Sequence, residues 1–177
     1  MVTRPRPTNP HASWRYEADP ALRPGLAAWR EERFNNRLAA YDAAVPGWSA
    51  DWGRVVARIR SLTGRPAEVV VPVEQEDQLM LRLFAAVSTL TGPPTELIAL
   101  ARNQCHENAH ALAVRKGWHF ATGFAGRLDE PVVEWRRHSW CAVPGTGRIV
   151  ETTEAHFHPA TRYVGVAWDV ISGGAAG

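Results

Sequence analysis

The sequence of 177 residues contains only two cysteines, which are too few for a disulfide framework in a chain of this length. It contains no run of five or six like charges, and its 20 basic residues are scattered and nearly balanced by 18 acidic ones. No uninterrupted apolar stretch reaches the roughly 18 residues of a membrane span, and no apolar region follows the basic N-terminus as in a secretory signal. We therefore expect a cytoplasmic protein that binds neither nucleic acid nor membrane.

The length and an apolar fraction of 45% fit one globular domain. Residues 1–13 lack periodicity and are rich in proline and polar residues, so we expect a flexible tail there and a single domain over residues 14–177. Apolar residues spaced by three or four predict three helices, over residues 20–44, from an N-cap at Ser49 to Gly64, and over residues 74–90. The β-branched segment 68–73 predicts an edge strand.

The pattern changes after residue 95. Helix formers fill residues 96–102 and 104–116, and Gly117 is the predicted C-terminal cap. Four short segments then read as strands, at residues 118–124, 135–143, 148–152 and 163–169. Helices followed by antiparallel strands predict an α+β fold, with a helical part over residues 14–101 and a helix packed on an antiparallel sheet over residues 102–177.

One segment of the fourth predicted helix allows two functional interpretations. His106-Glu107-Asn108-Ala109-His110 matches H-E-x-x-H, in which two histidines on one helical face bind zinc and the glutamate activates a water. Glu130 follows after nineteen residues, a separation similar to that of the third ligand in thermolysin-like metallopeptidases. However, Glu130 lies among glycines and a proline, in a predicted loop and not on a second helix. A second candidate metal set, Glu154, His156 and His158, is more typical of a solvated loop.

Cys105 supports the other interpretation. Ala109 and Leu112 point in nearly the same direction from the helix axis, so a helix that packs through them presents Cys105 to the sheet. With Asn103 as N-cap, Cys105 falls in the first turn, where free backbone N–H groups and the positive end of the helix dipole favour a thiolate. The alternative is that Cys105 is a small buried hydrophobic residue.

The strands that follow offer partners for such a nucleophile. Strand alternation places His138 and Trp140 on one face and Cys141 on the other, so His138 is the candidate base and Cys141 is assigned to the core. A hairpin through residues 144–147 could bring Glu151, at the end of the next strand, beside His138.

These residues resemble the pattern of small bacterial and phage-borne proteins related to papain-like and transglutaminase-like cysteine hydrolases. The matching motifs are Cys105-His-Glu-Asn108-Ala109, Gly123-Phe124-Ala125, His138-Ser139-Trp140, Glu151-Thr152-Thr153 and Tyr163-Val164-Gly165. Such proteins usually have aspartate at the position of Glu151 and often proline at that of Thr152. The resemblance covers residues 103–168 and implies a cysteine helix packed on an antiparallel sheet.

From these residues we expect a catalytic triad of Cys105, His138 and Glu151. The cysteine would attack the carbonyl of an amide, ester or thioester and form an acyl-enzyme without any cofactor or metal. The expected partner is a small-molecule, peptide or carrier-bound acyl substrate. The alternatives are a zinc hydrolase and a non-catalytic binding protein on the same fold.

Four further residues are candidates for supporting roles. Gln104 and Asn108 could help to stabilise the oxyanion of the reaction, although Asn108 could equally tie its helix to a loop. Trp118 and Trp140 are candidate substrate-binding residues, although tryptophans at strand positions are more often part of the core.

Overall fold

The computed structural model of the protein describes residues 13–170, and these residues form an α+β fold, as predicted. Residues 1–12 of the predicted tail lie outside the described residues. The elements in chain order are α1 (Pro24–Ala44), α2 (Trp48–Thr63), β1 (Glu68–Val69), α3 (Gln78–Val87), β2 (Thr89–Thr91), β3 (Glu96–Leu97), α4 (Cys105–Lys116), β4 (His119–Arg127), β5 (Glu134–Ala142), β6 (Ile149–Glu151), a 3₁₀ turn (Glu154–His156) and β7 (Thr161–Asp169). Within residues 13–170, no helix is both long and apolar enough to cross a bilayer.

The start of α2 differs from the sequence prediction. The helix begins at Trp48, and Gly47 with a φ of 83° occupies the N-cap position that was expected for Ser49. The Ser49 hydroxyl is hydrogen-bonded to the Asp42 carboxylate and accepts the backbone N–H of Trp14. The N-cap prediction is wrong because these tertiary partners engage the hydroxyl within the helix.

The predicted helix over residues 96–102 is also wrong. This segment is extended, with β3 parallel to β6. The backbone N–H groups of Ile98 and Leu100 donate to the carbonyl oxygens of Glu151 and Thr152. Pairing with an existing strand overrides the helical propensity of the individual residues. As a result, this segment runs beside the end of β6 and leads the chain directly to the start of α4.

The predicted helix over residues 74–90 is shorter than expected. The Asp77 side chain accepts the backbone N–H groups of Leu79 and Met80, and this capping sets the start of α3. Beyond the end of α3, residues 89–91 pair with β7 as β2. The last turn of the predicted helix is therefore replaced by an edge strand.

The sheet has the order β2-β7-β4-β5-β6-β3, and β1 pairs with the N-terminal end of β5. The four predicted C-terminal strands form its antiparallel centre, from β7 through β4 and β5 to β6. Two short strands that precede α4 in the chain, β1 and β3, join it in parallel. The C-terminal strands are thus antiparallel as predicted, and the two parallel strands, which were not predicted as part of this sheet, make the whole sheet mixed.

One edge of β5 is interrupted. Val70 donates its backbone N–H to Trp135 at one end of β5, and Val143 donates to Arg148 at the other. Because alternate residues direct their backbone groups to the same edge of a strand, β1 and β6 lie on one edge of β5. Between them, residues 136–140 have no paired strand on this edge within the described part of the chain. This gap leaves the middle of β5 accessible to the start of α4.

The helices cover one face of the sheet in two groups. The first three helices enclose a core that includes Phe124 and Trp135 of the sheet. Helix α4 packs through Ala109 and Leu112 onto Phe120 and the neighbouring strands, as predicted from its apolar face. The opposite face of the sheet carries a separate small cluster around Tyr163. The start of α4 consequently lies between two parts of the core, next to the gap in β5.

Candidate active site

Cys105 is the first residue of α4. The position before it is occupied by Gln104, whose side chain makes no capping hydrogen bond, and the predicted N-cap Asn103 lies one residue earlier with a φ of 58°. The N-cap prediction is therefore wrong, but Cys105 remains in the first turn. The backbone N–H groups of this turn have no intrahelical acceptor, and the positive end of the helix dipole favours an anion there.

The Cys105 thiol lies against the His138 imidazole at the gap in β5. Burial raises the pKa of this thiol, but the hydrogen bond with His138, the positive charge of His138 and the backbone N–H of Ser139 outweigh it. The net pKa is below the ordinary thiol value, although the charge of Glu151 partly opposes the shift. The residue as a whole is half-buried.

His138 projects from the sheet face opposite to the helices, and its side chain is almost completely buried. Burial lowers the pKa of the imidazole, but hydrogen bonds to Cys105 and Glu151 and the negative charges of both raise it to about 9. A lowered pKa on the thiol and a raised pKa on the imidazole mean that the proton rests on His138. Both shifts favour the thiolate and imidazolium form of the pair.

Glu151 is fully buried and binds the far side of the His138 ring. Nε2 of His138 lies 3.0 and 2.9 Å from the two carboxylate oxygens, so Glu151 engages this ring nitrogen. Oε1 also accepts the backbone N–H groups of Thr152 and Thr153, each at 2.8 Å, and Oε2 accepts the Tyr163 hydroxyl at 2.8 Å. Burial raises the pKa of Glu151, but these partners, His138 first, lower it overall. Glutamate thus orients the imidazole in this chain.

Two residues of this site were not predicted. Tyr163 was noticed only within a motif of the resemblance, and its hydroxyl anchors Glu151. His156, in the 3₁₀ turn, lies against His138 with the ring centroids 4.1 Å apart. Burial and the positive charge of His138 lower the pKa of His156 to about 4, so it remains neutral beside the imidazolium. Neither residue lies near Cys105 in sequence. The fold brings both of them next to β5, and only this proximity shows their roles.

The two candidate oxyanion helpers occupy different positions. Asn108 is buried in α4, and its Nδ2 donates to the carbonyl oxygen of Ala101 at 2.7 Å. This contact ties α4 to the preceding loop, the structural role considered from the sequence. Gln104 is exposed directly before Cys105 and makes no capping contact. The backbone N–H groups of the first turn have no intrahelical acceptor and remain candidate donors to an oxyanion.

Neither candidate substrate-binding tryptophan lies on the surface around Cys105. Trp140 is 2% exposed, and its ring lies 4.7 Å from that of Tyr163, so it supports the residue that anchors Glu151. Trp118 follows the C-terminal end of α4, where its backbone N–H donates to Ala113. Because a 12-residue helix is about 18 Å long, Trp118 and Cys105 lie at opposite ends of α4.

The residues of the zinc interpretation have separate partners. His106 and His110 face the Phe120 ring at centroid distances of 5.0 and 5.7 Å, and Glu130 lies 3.4 Å from Arg127. Within residues 13–170, no three histidine, cysteine, aspartate or glutamate side chains are grouped closely enough to hold a metal ion. The second candidate metal set, Glu154, His156 and His158, is likewise not grouped closely enough to hold a metal ion.

Two clefts lie beside the 3₁₀ turn, and none of Cys105, His138 and Glu151 lines either of them. One, of about 410 Å³, is bounded by residues 99–103 before Cys105 and by residues 153–155 after Glu151. The other, of about 280 Å³, is lined by His156 and by charged residues that include Glu134 and Arg136. The first cleft is formed by the segment that leads into Cys105 and the segment that follows Glu151, so it is a candidate space for a substrate carbonyl.

Comparison of the chain with protein-family models, with curated proteins and with solved structures finds no match. The geometry of the site is therefore the basis for the function proposed below.

Proposed function

We propose that the protein is a cysteine-dependent hydrolase or acyltransferase that acts on the carbonyl of an amide, ester or thioester. The observation that carries this proposal is the contact between Cys105 and His138, with Glu151 bound to the far side of the same imidazole. A nucleophile, a base and an orienting acceptor in this order are the parts of a catalytic triad. The same geometry supports the resemblance to papain-like and transglutaminase-like enzymes.

The first half of the reaction follows from the protonation states. The Cys105 thiolate donates its electron pair to the carbonyl carbon, and the π electrons of the carbonyl move onto its oxygen. Backbone N–H groups in the first turn of α4 are positioned to donate to this oxyanion. Collapse of the intermediate breaks the bond to the leaving group, which takes the proton from His138. The acyl group then remains on the sulfur as a thioester.

The second half needs a nucleophile from solution. Water or an amine gives a proton to the neutral His138 and attacks the thioester, which regenerates the thiolate and the imidazolium. Glu151 stays ionised throughout and stabilises the charged ring. Water yields hydrolysis and an amine yields acyl transfer, and the acyl donor belongs to the expected classes of small molecule, peptide or carrier-bound group.

A cytoplasmic setting fits this chemistry. Both cysteines of the described residues are free thiols. A reducing compartment keeps a nucleophilic thiolate from being consumed in disulfides.

The acyl-enzyme provides the direct test. p-Nitrophenyl acetate at pH 7 is expected to add one acetyl group to Cys105, with one equivalent of p-nitrophenolate released in a burst. Intact mass and peptide mapping measure the adduct, Cys105→Ala should remove it, and Cys141→Ala is the matched control that should retain it. An adduct that persists in Cys105→Ala, or that maps to Cys141, would contradict the proposal.

A further inference from the structure

A groove of about 450 Å³ lies between α1 and residues 70–73, the extended segment that follows β1, and reaches the N-terminal part of β5. Five arginines line it: Arg30, Arg33, Arg37, Arg136 and Arg137. We call it the arginine groove. Several guanidinium groups directed at one space are typical of sites that bind carboxylate or phosphate, because the planar group donates two parallel hydrogen bonds to such anions.

The charges in the arginine groove do not cancel. Carboxylates engage three of its arginines, with Arg30 bound to Glu68 and Glu134, Arg136 to Glu134, and Arg137 to Glu76. Arg33 and Arg37 have no ion-pair partner within residues 13–170. Two guanidinium groups are thus available for an anion that enters the groove.

These two groups are held in place. Arg33 and Arg37 are four residues apart on α1 and share a face with Trp29. The Arg33 guanidinium lies 5.0 Å from the centre of the Trp29 ring, and Nη1 of Arg37 donates to the carbonyl oxygen of Val71 at 2.7 Å. Such contacts reduce the conformational entropy that the side chains lose on binding a ligand.

Arg30 is the one buried arginine of the five. It is 8% exposed, and its two terminal nitrogens contact Glu68 and Glu134. Its Nε has no hydrogen-bond acceptor in the described residues, but it is closed to solvent, so an oxygen in the groove does not reach it without movement of the side chain. The anion is therefore assigned to Arg33 and Arg37, which are not neutralised by carboxylates in the described part of the chain.

The arginine groove adjoins the proposed catalytic residues. Residues 70–73 continue from β1, which borders the gap in β5 that Cys105 occupies. Arg136 precedes His138 by two residues on the same face of β5, about 7 Å along the strand. Arg136 also lines the cleft that contains His156, the residue in contact with the His138 ring.

We propose that the arginine groove binds an anionic group, a carboxylate or a phosphate, of the substrate whose carbonyl Cys105 attacks. This inference rests on the proposed function and specifies its substrate class as acidic. The anion fixes the substrate at Arg33 and Arg37, away from the reacting carbonyl, and the remainder of the substrate extends past Arg136 to the thiolate. Binding at a remote charged group positions the carbonyl for attack.

Calorimetric titration of the whole chain at low ionic strength tests the groove, with triglutamate as the carboxylate probe and inorganic pyrophosphate as the phosphate probe. We expect saturable binding of at least one probe. The probe that binds more tightly shows whether the groove prefers a carboxylate or a phosphate. Arg33→Ala/Arg37→Ala should weaken binding at least about tenfold, because charge-assisted hydrogen bonds are lost. The control Arg115→Ala/Lys116→Ala removes two exposed positive charges at the far end of α4 and should leave binding unchanged.

Two further measurements separate this inference from the proposed function. Cys105→Ala should bind the probe as the unmodified chain does, so binding is tested even if Cys105 proves unreactive. In the unmodified chain, a saturating probe should slow alkylation of Cys105 by iodoacetamide at least about threefold, as expected for contiguous sites. The assignment would be overturned if neither probe bound saturably, or if the control variant weakened binding as much as Arg33→Ala/Arg37→Ala. It would also be overturned if a bound probe had no effect on the alkylation of Cys105.

Discussion

Replacement of His138 by alanine is expected to slow acyl-enzyme formation by about 10²–10⁴-fold, the usual contribution of a positioned acid–base residue. His138 is the main cause of the low pKa of Cys105, and burial alone would raise that pKa. Without the imidazole, the thiol remains protonated at neutral pH and the leaving group receives no proton. The burst of p-nitrophenolate from p-nitrophenyl acetate at pH 7 measures this rate. The pH at which the remaining rate rises should also shift upwards.

The control for this prediction is His110→Ala, which removes an exposed histidine one turn further along α4. It should retain the rate of the unmodified protein. Because His138→Ala leaves Glu151 buried without its cation, circular dichroism must show that the variant is folded at the assay temperature. A folded His138→Ala variant with less than about a threefold loss would exclude His138 as the base.

Replacement of Glu151 by alanine is expected to cost about 3–5 kcal/mol in the free energy of unfolding, the usual effect of removing one partner of a buried ion pair. The carboxylate accepts hydrogen bonds from His138, Tyr163 and two backbone N–H groups, and it is fully buried. Its loss leaves a buried imidazolium and several buried donors without partners. Urea unfolding at pH 7 measures the difference, and the same variant should lose most of the acylation rate.

The difference in unfolding free energy between the unmodified chain and Glu151→Ala depends on pH in a defined direction. The folded pKa of Glu151 is lowered, so its stabilising contribution is present above its ordinary pKa and is lost as the pH falls. The folded pKa of His138 is raised to about 9, so its contribution is present below its ordinary pKa of 6.5 and is lost as the pH rises through 9. The unfolding difference between the unmodified chain and Glu151→Ala should therefore be largest between about pH 5 and 7.

Two variants complete this comparison. Glu151→Gln keeps the shape and the acceptor for the Thr152 and Thr153 N–H groups, so it should be more stable than Glu151→Ala while remaining poorly active. Glu154→Ala removes an exposed carboxylate three residues later and should leave stability unchanged. A Glu151→Ala variant within about 1 kcal/mol of the unmodified chain would contradict the proposed role of the buried pair.

Much of the site could be predicted because local patterns determine it. The helical period places Cys105 on the same face of α4 as Ala109 and Leu112, and strand alternation assigns His138 and Cys141 to opposite faces. Both assignments agree with the contacts, since His138 binds Glu151 and Cys141 donates to the carbonyl oxygen of Ala109 in α4. The short hairpin after β5 accounts for the return of Glu151 beside His138.

Features that depend on long-range pairing were not predictable from local patterns. The segment 96–102 has helical propensity, but the edge of β6 holds it extended, and this pairing brings the chain to Cys105. The burial of Trp140 depends on Tyr163, which returns on β7 from more than twenty residues away. The arginine groove combines α1 with β5, and no spacing in the sequence links those segments.

Activation of Cys105 as a thiolate by His138 can be measured through the rate of alkylation by iodoacetamide as a function of pH. Burial and the charge of Glu151 raise the pKa of Cys141 to about 12, whereas the pKa of Cys105 is lowered. Peptide mapping should therefore show rapid labelling of Cys105 below pH 7, no labelling of folded Cys141, and loss of the rapid phase in His138→Ala. Slow labelling of both cysteines, with a rate that rises only near the free thiol pKa of about 8.5 and is insensitive to His138→Ala, would contradict this activation.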